Sequence, residues 1–336
     1  MRLPMYIHLT ARAYRLPVLL TEHAVASWLW DRLRGAFPLA VSAAIMPNHP
    51  HIVCTADSID EPRRLFKNVF TGLRRSSNPG ADVLWEPLPQ AEVVPDVQHL
   101  RRLVRYVALN PCRAGLARDP LSWPWSTHRD VVGAIADPWI DAERLAAALG
   151  RPVRGFAQAH HQYVSAAPEV SVTGTPFPSP ATSQQVAGHP LAALVAAVAA
   201  ASRGLPEDIR QRTRARALLA LLAQRHGWCS ARKLAAICAV DARTVRRCWQ
   251  RSDPQGLAAA ELCLGDERLL VLSCESQRSP SQRPLLVHPR PDLAEVAMRV
   301  SAFGAFEGRP RVRASGLSCG RCAAADHRDR ARSSGP

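Results

Sequence analysis

Met46-Pro47-Asn48-His49-Pro50-His51-Ile52-Val53 places two histidines two residues apart, between one apolar run (Val41, Ala43, Ile45) and another (Ile52, Val53, Cys54). On an extended strand residues i and i+2 leave the same face, so His49 and His51 stand side by side while Ile52 points the opposite way into a core. Two neutral imidazoles so placed form a chelating pair, and two surface or hydrogen-bonded histidines fit the same pattern equally well. Working outward, Leu39 to Ile45 and His49 to Thr55 read as strands joined through Met46-Pro47-Asn48. Residues 5–11 alternate as a strand, and Glu22 to Arg34 and Pro62 to Arg75 have helical spacing. Pro87 and Pro89 leave the segment to Val94 as an edge strand or loop. A further helix runs from about Val97 to Leu109, with Pro111 stopping it just beyond Asn110. This order predicts an α+β fold, an antiparallel sheet with its helices packed on it.

The 336 residues are 47% hydrophobic, enough for a sizeable core and for two or three domains. No run of about 18 uncharged apolar residues spans a membrane, the nearest approach being Leu191 to Ser202, and no signal-peptide pattern opens the chain. Nine cysteines, an odd number scattered over the length, are not a disulfide framework and place the protein in a reducing cytoplasm. The net charge is +15 and nearly all of the cations are arginine. Residues 151–255 hold 14 basic residues against 5 acidic ones, a concentration that favours phosphate backbones; a GC-rich genome would also enrich arginine.

Tyr106 and Asn110 are four residues apart, one turn up the same helix face. Taken with His49 and His51, they complete a pattern. The segments Met46 to Val53, Leu103 to Leu116 and Trp123-Pro124-Trp125-Ser126-Thr127-His128-Arg129 resemble, in order and separation, the single-tyrosine HUH transposases. The resemblance is to the REP-associated tyrosine transposase branch, related to insertion-sequence transposases that act on single-stranded DNA. It covers roughly residues 5–150 and implies a ferredoxin-like catalytic domain. It implies that His49 and His51 bind a divalent metal, Mg2+ or Mn2+, with Asn110 the candidate third ligand. Tyr106, the one tyrosine of four that matches the motif, would attack phosphorus to leave a 5′-phosphotyrosyl enzyme and a free 3′-hydroxyl. A phenol with a pKa of about 10 is a poor nucleophile at neutral pH, so a metal that offsets phosphate charge suits this chemistry. The implied partner is single-stranded DNA in a hairpin or palindromic repeat, and the related enzymes suggest a homodimer. Two departures stand out. Pro50 replaces the usual aliphatic residue between the histidines and predicts an edge strand or bulge, and Trp85 to Gln90 replaces a basic-aromatic segment.

Ala166 to Pro190 reads as a Pro/Ser-rich linker within a 151–190 connector, and 191–255 as a tethered helical domain. Arg210 to Arg225 is a basic amphipathic helix. Ser230 caps Ala231 to Ala239, and Asp241 caps a helix with Val245, Cys248 and Trp249 inward and Arg243, Thr244, Arg246 and Arg247 outward. This is a helix-turn-helix pattern for duplex DNA. It is similar to the C-terminal DNA-binding domain of the bacterial replication initiator DnaA; a solvated bundle face is the alternative. Residues 256–336 read as a mostly flexible Arg/Pro/Ser-rich tail in which Leu257 to Leu262 is helical, and Cys319, Cys322 and His327 there are an incidental half of a zinc pattern. The functional expectation is a cytoplasmic, nucleoid-associated DNA strand transferase. A DNA-binding protein without activity and a metal-dependent phosphodiesterase without covalent intermediate remain as alternatives.

Overall fold

The computed structural model describes residues 5–14, 20–75, 84–85, 89–167, 169–172, 174, 176–178, 188–211 and 213–270. The first part of the chain forms β1 (Met5–Thr10), β2 (Ala13–Tyr14), α1 (His23–Ala36), β3 (Ala40–Ile45), β4 (Pro50–Ala56), α2 (Asp60–Arg75), β5 (Leu84–Trp85), β6 (Gln90–Val94) and α3 (Val97–Arg113). Four strands make an antiparallel sheet in the order β3-β4-β1-β6. With β1, β3, β4 and β6 taken as first to fourth, this is the ferredoxin-like order, the first strand lying between the third and the fourth.

Alternation in β1 buries Ile7 and Leu9 completely and leaves Tyr6, His8 and Thr10 on the other face. In α1 the stripe Val25, Ala26, Leu29, Trp30 and Leu33 is buried, and α1 packs on α2, where Phe66 and Phe70 meet edge to face. Each such fully buried apolar side chain stabilises the fold by roughly 1.5–3 kcal/mol. The amphipathic α3, capped by Asp96 accepting from the His99 amide at 2.7 Å, contacts β3 and β6 and brings Asn110 to His51 across the other sheet face.

Two proline-based expectations are corrected. β4 is an inner strand, flanked by β3 and β1, and Pro50 is its first residue. The β1 ladder ends at the Thr10–His51 pair, so the missing Pro50 amide deprives β1 of no partner. Pro111 does not stop α3 either. The helix continues to Arg113 and is closed by Gly115, whose φ of 69° admits a left-handed turn. Gly115 N–H donates to Cys112 O at 3.0 Å and Leu116 N–H to Pro111 O at 2.9 Å, a Schellman closure that satisfies the last carbonyls. Asn110 therefore sits inside a regular helix rather than at a frayed end.

After α3, Trp123 to Thr127 lies along the open edge of β3. Ile45 N–H donates to Trp125 O, Thr127 N–H to Ala43 O, and Trp123 Nε1 to Ile45 O. The third sequence motif thus covers a sheet edge. Short helices α4 (His128–Val131), α5 (Ala142–Ala148) and α6 (Phe156–Ser165) follow, and Phe156 joins the first core, so the 151–190 connector begins as ordered structure.

The helical part comprises α7 (Leu191–Ala201), α8 (Asp208–Gln211), α9 (Thr213–Arg225), α10 (Ala231–Cys238), α11 (Ala242–Trp249) and α12 (Pro254–Gly265). Ser230 and Asp241 cap α10 and α11 as expected, with Ala239 (φ 52°) turning the chain between them. Val245 and Cys248 are buried, and Trp249 Nε1 donates to Ala220 O at 3.0 Å. A boundary at 255 cuts α12, which packs on α7 and α9.

Nor is this part merely tethered. Its core incorporates Leu121, Val132, Ala134 and Ala136, and Ala136 N–H donates to Ala201 O at 2.8 Å. Arg203 is buried against Trp30, pairs with the buried Asp130 and donates to Pro124 O and Ser126 O. The fully buried Arg129 donates to Leu269 O at 2.7 Å. Arg203, within the basic stretch read as phosphate-seeking, is here spent together with Arg129 on docking the two parts. All described residues fall within one unit, Met1–Pro289. The expected flexible tail from residue 271 on, with Cys319, Cys322 and His327, lies outside the described residues.

Candidate active site

The turn from β3 to β4 builds the centre of the site. Met46 N–H donates to His49 O at 2.9 Å across Pro47-Asn48, and Ala13 and Leu20 N–H groups clamp the same turn through Asn48 O and Pro47 O. His49 Nδ1 meets Asn48 Oδ1 at 2.7 Å, which orients its ring. The His49 and His51 rings are 4.7 Å apart, so the two histidines do converge. His51, however, is 1% exposed, buried rather than facing an open groove.

Three side chains enclose His51. Its Nδ1 lies 3.0 Å from His8 Nε2, with the two rings stacked. Its Nε2 lies 2.6 Å from Asn110 Nδ2. The Tyr106 ring stands edge-on to it, 5.8 Å between centroids. With Asn110 donating to Nε2, the His51 proton is on Nδ1 and is donated to His8. Tyr106, His49 and Asn110 thus all stand against His51.

His8 was not foreseen. Its parity in β1 was legible, but the β1–β4 register that sets Thr10 opposite His51 and His8 opposite Val53 on the same face was not. Arg113 was also missed. Its guanidinium lies 4.9 Å from the Tyr106 ring centre and pairs with Glu169 at 2.5 Å; the signal was its spacing of two helical turns from Tyr106.

Burial, reinforced by neighbouring cations, keeps these imidazoles neutral. Burial and then His99 pull His8 down to about 4; burial, Arg12 and His8 do the same for His49. His51, fully enclosed, is held well below the usual range by burial and then His49. A separate trio, His128, His160 and His161, is buried under α6, where burial and then His161 put His160 at about 4.

Acid should therefore destabilise the fold. A histidine that falls from 6.5 to about 4 on folding binds fewer protons than in the unfolded chain between those values, so stability is lost as pH drops through that window. Each contributes about 3 kcal/mol when the titration is complete. Asp119, raised to about 6 by burial, and Asp130, also raised by burial, act with the opposite sign but are two groups against five buried histidines held low. The melting temperature should be lower at pH 5 than at pH 7.5 by about 10 °C or more. An unchanged or higher value at pH 5 would contradict this electrostatic description.

Neutral imidazoles with an amide oxygen suit a divalent first-row ion. His49 Nε2 makes no hydrogen bond among the described residues, whereas both His51 nitrogens are engaged. The 2.6 Å His51–Asn110 contact is shorter than the roughly 3 Å between two neighbouring ligands of one octahedral ion. The residue types therefore fit, while the pair stands hydrogen-bonded and Asn110 must turn its amide oxygen inward to ligate. Among the described residues no group of three or more His, Cys, Asp or Glu is set to hold a metal.

The remaining expected residues lie apart from this cluster, on α11. Arg243, Arg246 and Arg247 are exposed. The Thr244 hydroxyl instead donates to Asp241 Oδ2 at 3.1 Å as part of the helix cap.

With this geometry in view, the comparison with known proteins carries weight. The chain is 27% identical over 120 residues to the REP-associated tyrosine transposase of Escherichia coli (strain K12), covering 34% of this chain and 67% of that protein. The homology is weak but it is to a tyrosine transposase. No family model matches the chain. A solved structure of a REP-associated tyrosine transposase bound to a REP hairpin is 22% identical and matches 39% of this chain and 83% of its own, with a TM-score of 0.31, too low to bear on the fold. Among the described residues no helix is long and apolar enough to cross a membrane.

Proposed function

We propose that the protein cleaves and rejoins single-stranded DNA through Tyr106. The observation that carries this reading is the convergence on His51 of Tyr106, edge-on at 5.8 Å, and Asn110, one helical turn away at 2.6 Å. Homology to a tyrosine transposase supports the same class of chemistry. The Tyr106 oxygen forms a bond to phosphorus as the bond from phosphorus to the 3′ oxygen breaks. The phenol loses its proton and the departing 3′ oxygen gains one. The strand is left with a 3′-hydroxyl and a 5′-phosphotyrosyl link, and the reverse reaction rejoins it without ATP.

Arg113, 4.9 Å from the Tyr106 ring centre and held by Glu169, packs the ring in place. His49, His51 and Asn110 are the residues that would hold Mg2+ or Mn2+, which when bound offsets charge on the scissile phosphate. His8 accepts the His51 Nδ1 proton and so leaves the lone pair on Nε2, the nitrogen that would face a metal. The test is incubation of the full chain with single-stranded hairpin oligonucleotides and Mn2+, followed by a denaturing gel. With the oligonucleotide labelled at its 3′ end, a labelled fragment that stays with the protein through boiling in detergent is expected. Intact oligonucleotide under every divalent ion tried would favour a DNA-binding protein without activity.

The pair α10 and α11 serves, in the same proposal, as a helix-turn-helix that delivers the enzyme to duplex DNA through Arg243, Arg246 and Arg247. Because the helical part shares its core with residues 121–136, the full chain is the right material rather than a 191–251 fragment. Changing the three arginines to glutamine should weaken duplex binding and lower the slope of log K against log salt by about 2–3. A slope equal to that of the wild type would leave α11 as a solvated face.

A further inference from the structure

We infer that a second nucleic-acid subsite lies between α3 and α6: a cavity that takes one nucleotide of the strand held at Tyr106. This rests on the proposed DNA chemistry and extends it. The cavity, about 260 Å3, is lined by Arg101 of α3, Arg151 and Arg154 of the turn before α6, and Phe156, His160 and Tyr163 of α6. That volume falls just below the range of drug-sized ligand sites and suits a single base with its phosphate.

Charge is the first argument. No carboxylate lines the cavity. Nearby on α3, Arg105 and Arg113 are balanced by Glu169, at 4.0 and 2.5 Å. Arg101, Arg151 and Arg154 have no ion-pair partner among the described residues, so three guanidinium groups converge on one concave surface without an anion. Such a surface favours a phosphate.

Preorganisation is the second argument. Arg101 lies 4.2 Å and Arg105 4.6 Å from the Tyr163 ring centre, so cation–π contacts orient both guanidinium groups. Phe156 stacks on the buried His160 and supplies a flat apolar wall. An oriented guanidinium plane and an aromatic wall beside free cations are the parts from which sequence-tolerant single-strand sites are built.

Continuity is the third. Arg101 and Tyr106 share α3, about 7.5 Å apart along its axis, with Arg105 between them. Five residues also turn the helix by about 140°, so a strand with its scissile phosphate at Tyr106 must pass round α3, by way of Arg105, to reach the cavity. The helix-turn-helix pattern named DNA-contacting arginines on α11; this surface lies on α3 and α6 and depends on the packing of α6 against α3.

The test measures binding without cleavage. Full-length Tyr106→Phe protein in EDTA is titrated into a fluorescein-labelled single-stranded oligonucleotide across a range of salt concentrations. Reversing the exposed pair, Arg151→Glu with Arg154→Glu, should weaken binding about tenfold or more and lower the salt slope by about 2. The same net change on α2, Arg64→Glu with Lys67→Glu, controls for overall charge and should do distinctly less. Equal losses in the two double variants, or none in the first, would overturn the subsite while leaving the Tyr106 chemistry standing. A protein that binds no single strand at all would sink both. Saturable binding of free deoxyadenosine monophosphate, abolished by Arg151→Glu with Arg154→Glu while the oligonucleotide still binds, would show a separate nucleotide site and overturn the strand assignment.

Discussion

Tyr106→Phe is expected to remove the covalent protein–DNA adduct and to lower cleavage by a factor on the order of 10^4 or more, because one atom is both the nucleophile and the point of attachment. The ring remains, and with it the edge-on packing on His51 and the contact beneath Arg113. Tyr106 is only partly buried, so the melting temperature should move little. If its hydroxyl were a buried structural partner instead, the loss would be on the order of 1–2 kcal/mol in stability with cleavage retained. The two readings differ in both assays. Cleavage that persists in Tyr106→Phe, with a 5′ end free of protein, would replace the covalent mechanism by a hydrolytic one.

His49→Ala should be nearly as damaging to cleavage, by a factor on the order of 10^3. It is the cleaner of the two histidines to test. His49 precedes β4, and its ring hydrogen-bonds only to Asn48 among the described residues and packs edge-on against His51, so the substitution should leave the fold intact. His51 is buried between His8 and Asn110, and His51→Ala would strand both partners at a cost of about 1–3 kcal/mol. Titration of Mn2+ into wild type and His49→Ala gives a second reading independent of turnover, with binding weakened at least tenfold in the variant. Mn2+ should support cleavage at least as well as Mg2+, since imidazole suits it better. Wild-type activity in His49→Ala would end the metal hypothesis.

Much of this architecture was legible in the residues themselves. Period-two alternation in β1, the 3.6-residue stripe of α3 and the caps Ser230 and Asp241 are local properties, decided by side-chain sterics and by hydrogen bonds within a few residues. The placement of Tyr106 near Asn110 follows from the helical period alone, whereas His49 lies in the turn before β4 and its approach to His51 also depends on the clamping of that turn by Ala13 and Leu20. Other features needed partners distant in the chain. Whether Pro50 sits on an edge depends on which strands flank β4. His8 joined the site only through the β1–β4 register, since a slip by one residue would turn it to the opposite face. Composition assigned the arginines of the helical part to DNA, yet Arg203 is consumed by Asp130, Trp30 and two carbonyls inside the docking surface. The chain alone determined the local elements and the pairs of chemical groups within them; only tertiary packing decided which of those groups meet, because register, burial and long-range ion pairing are set by surfaces that come together after the elements form.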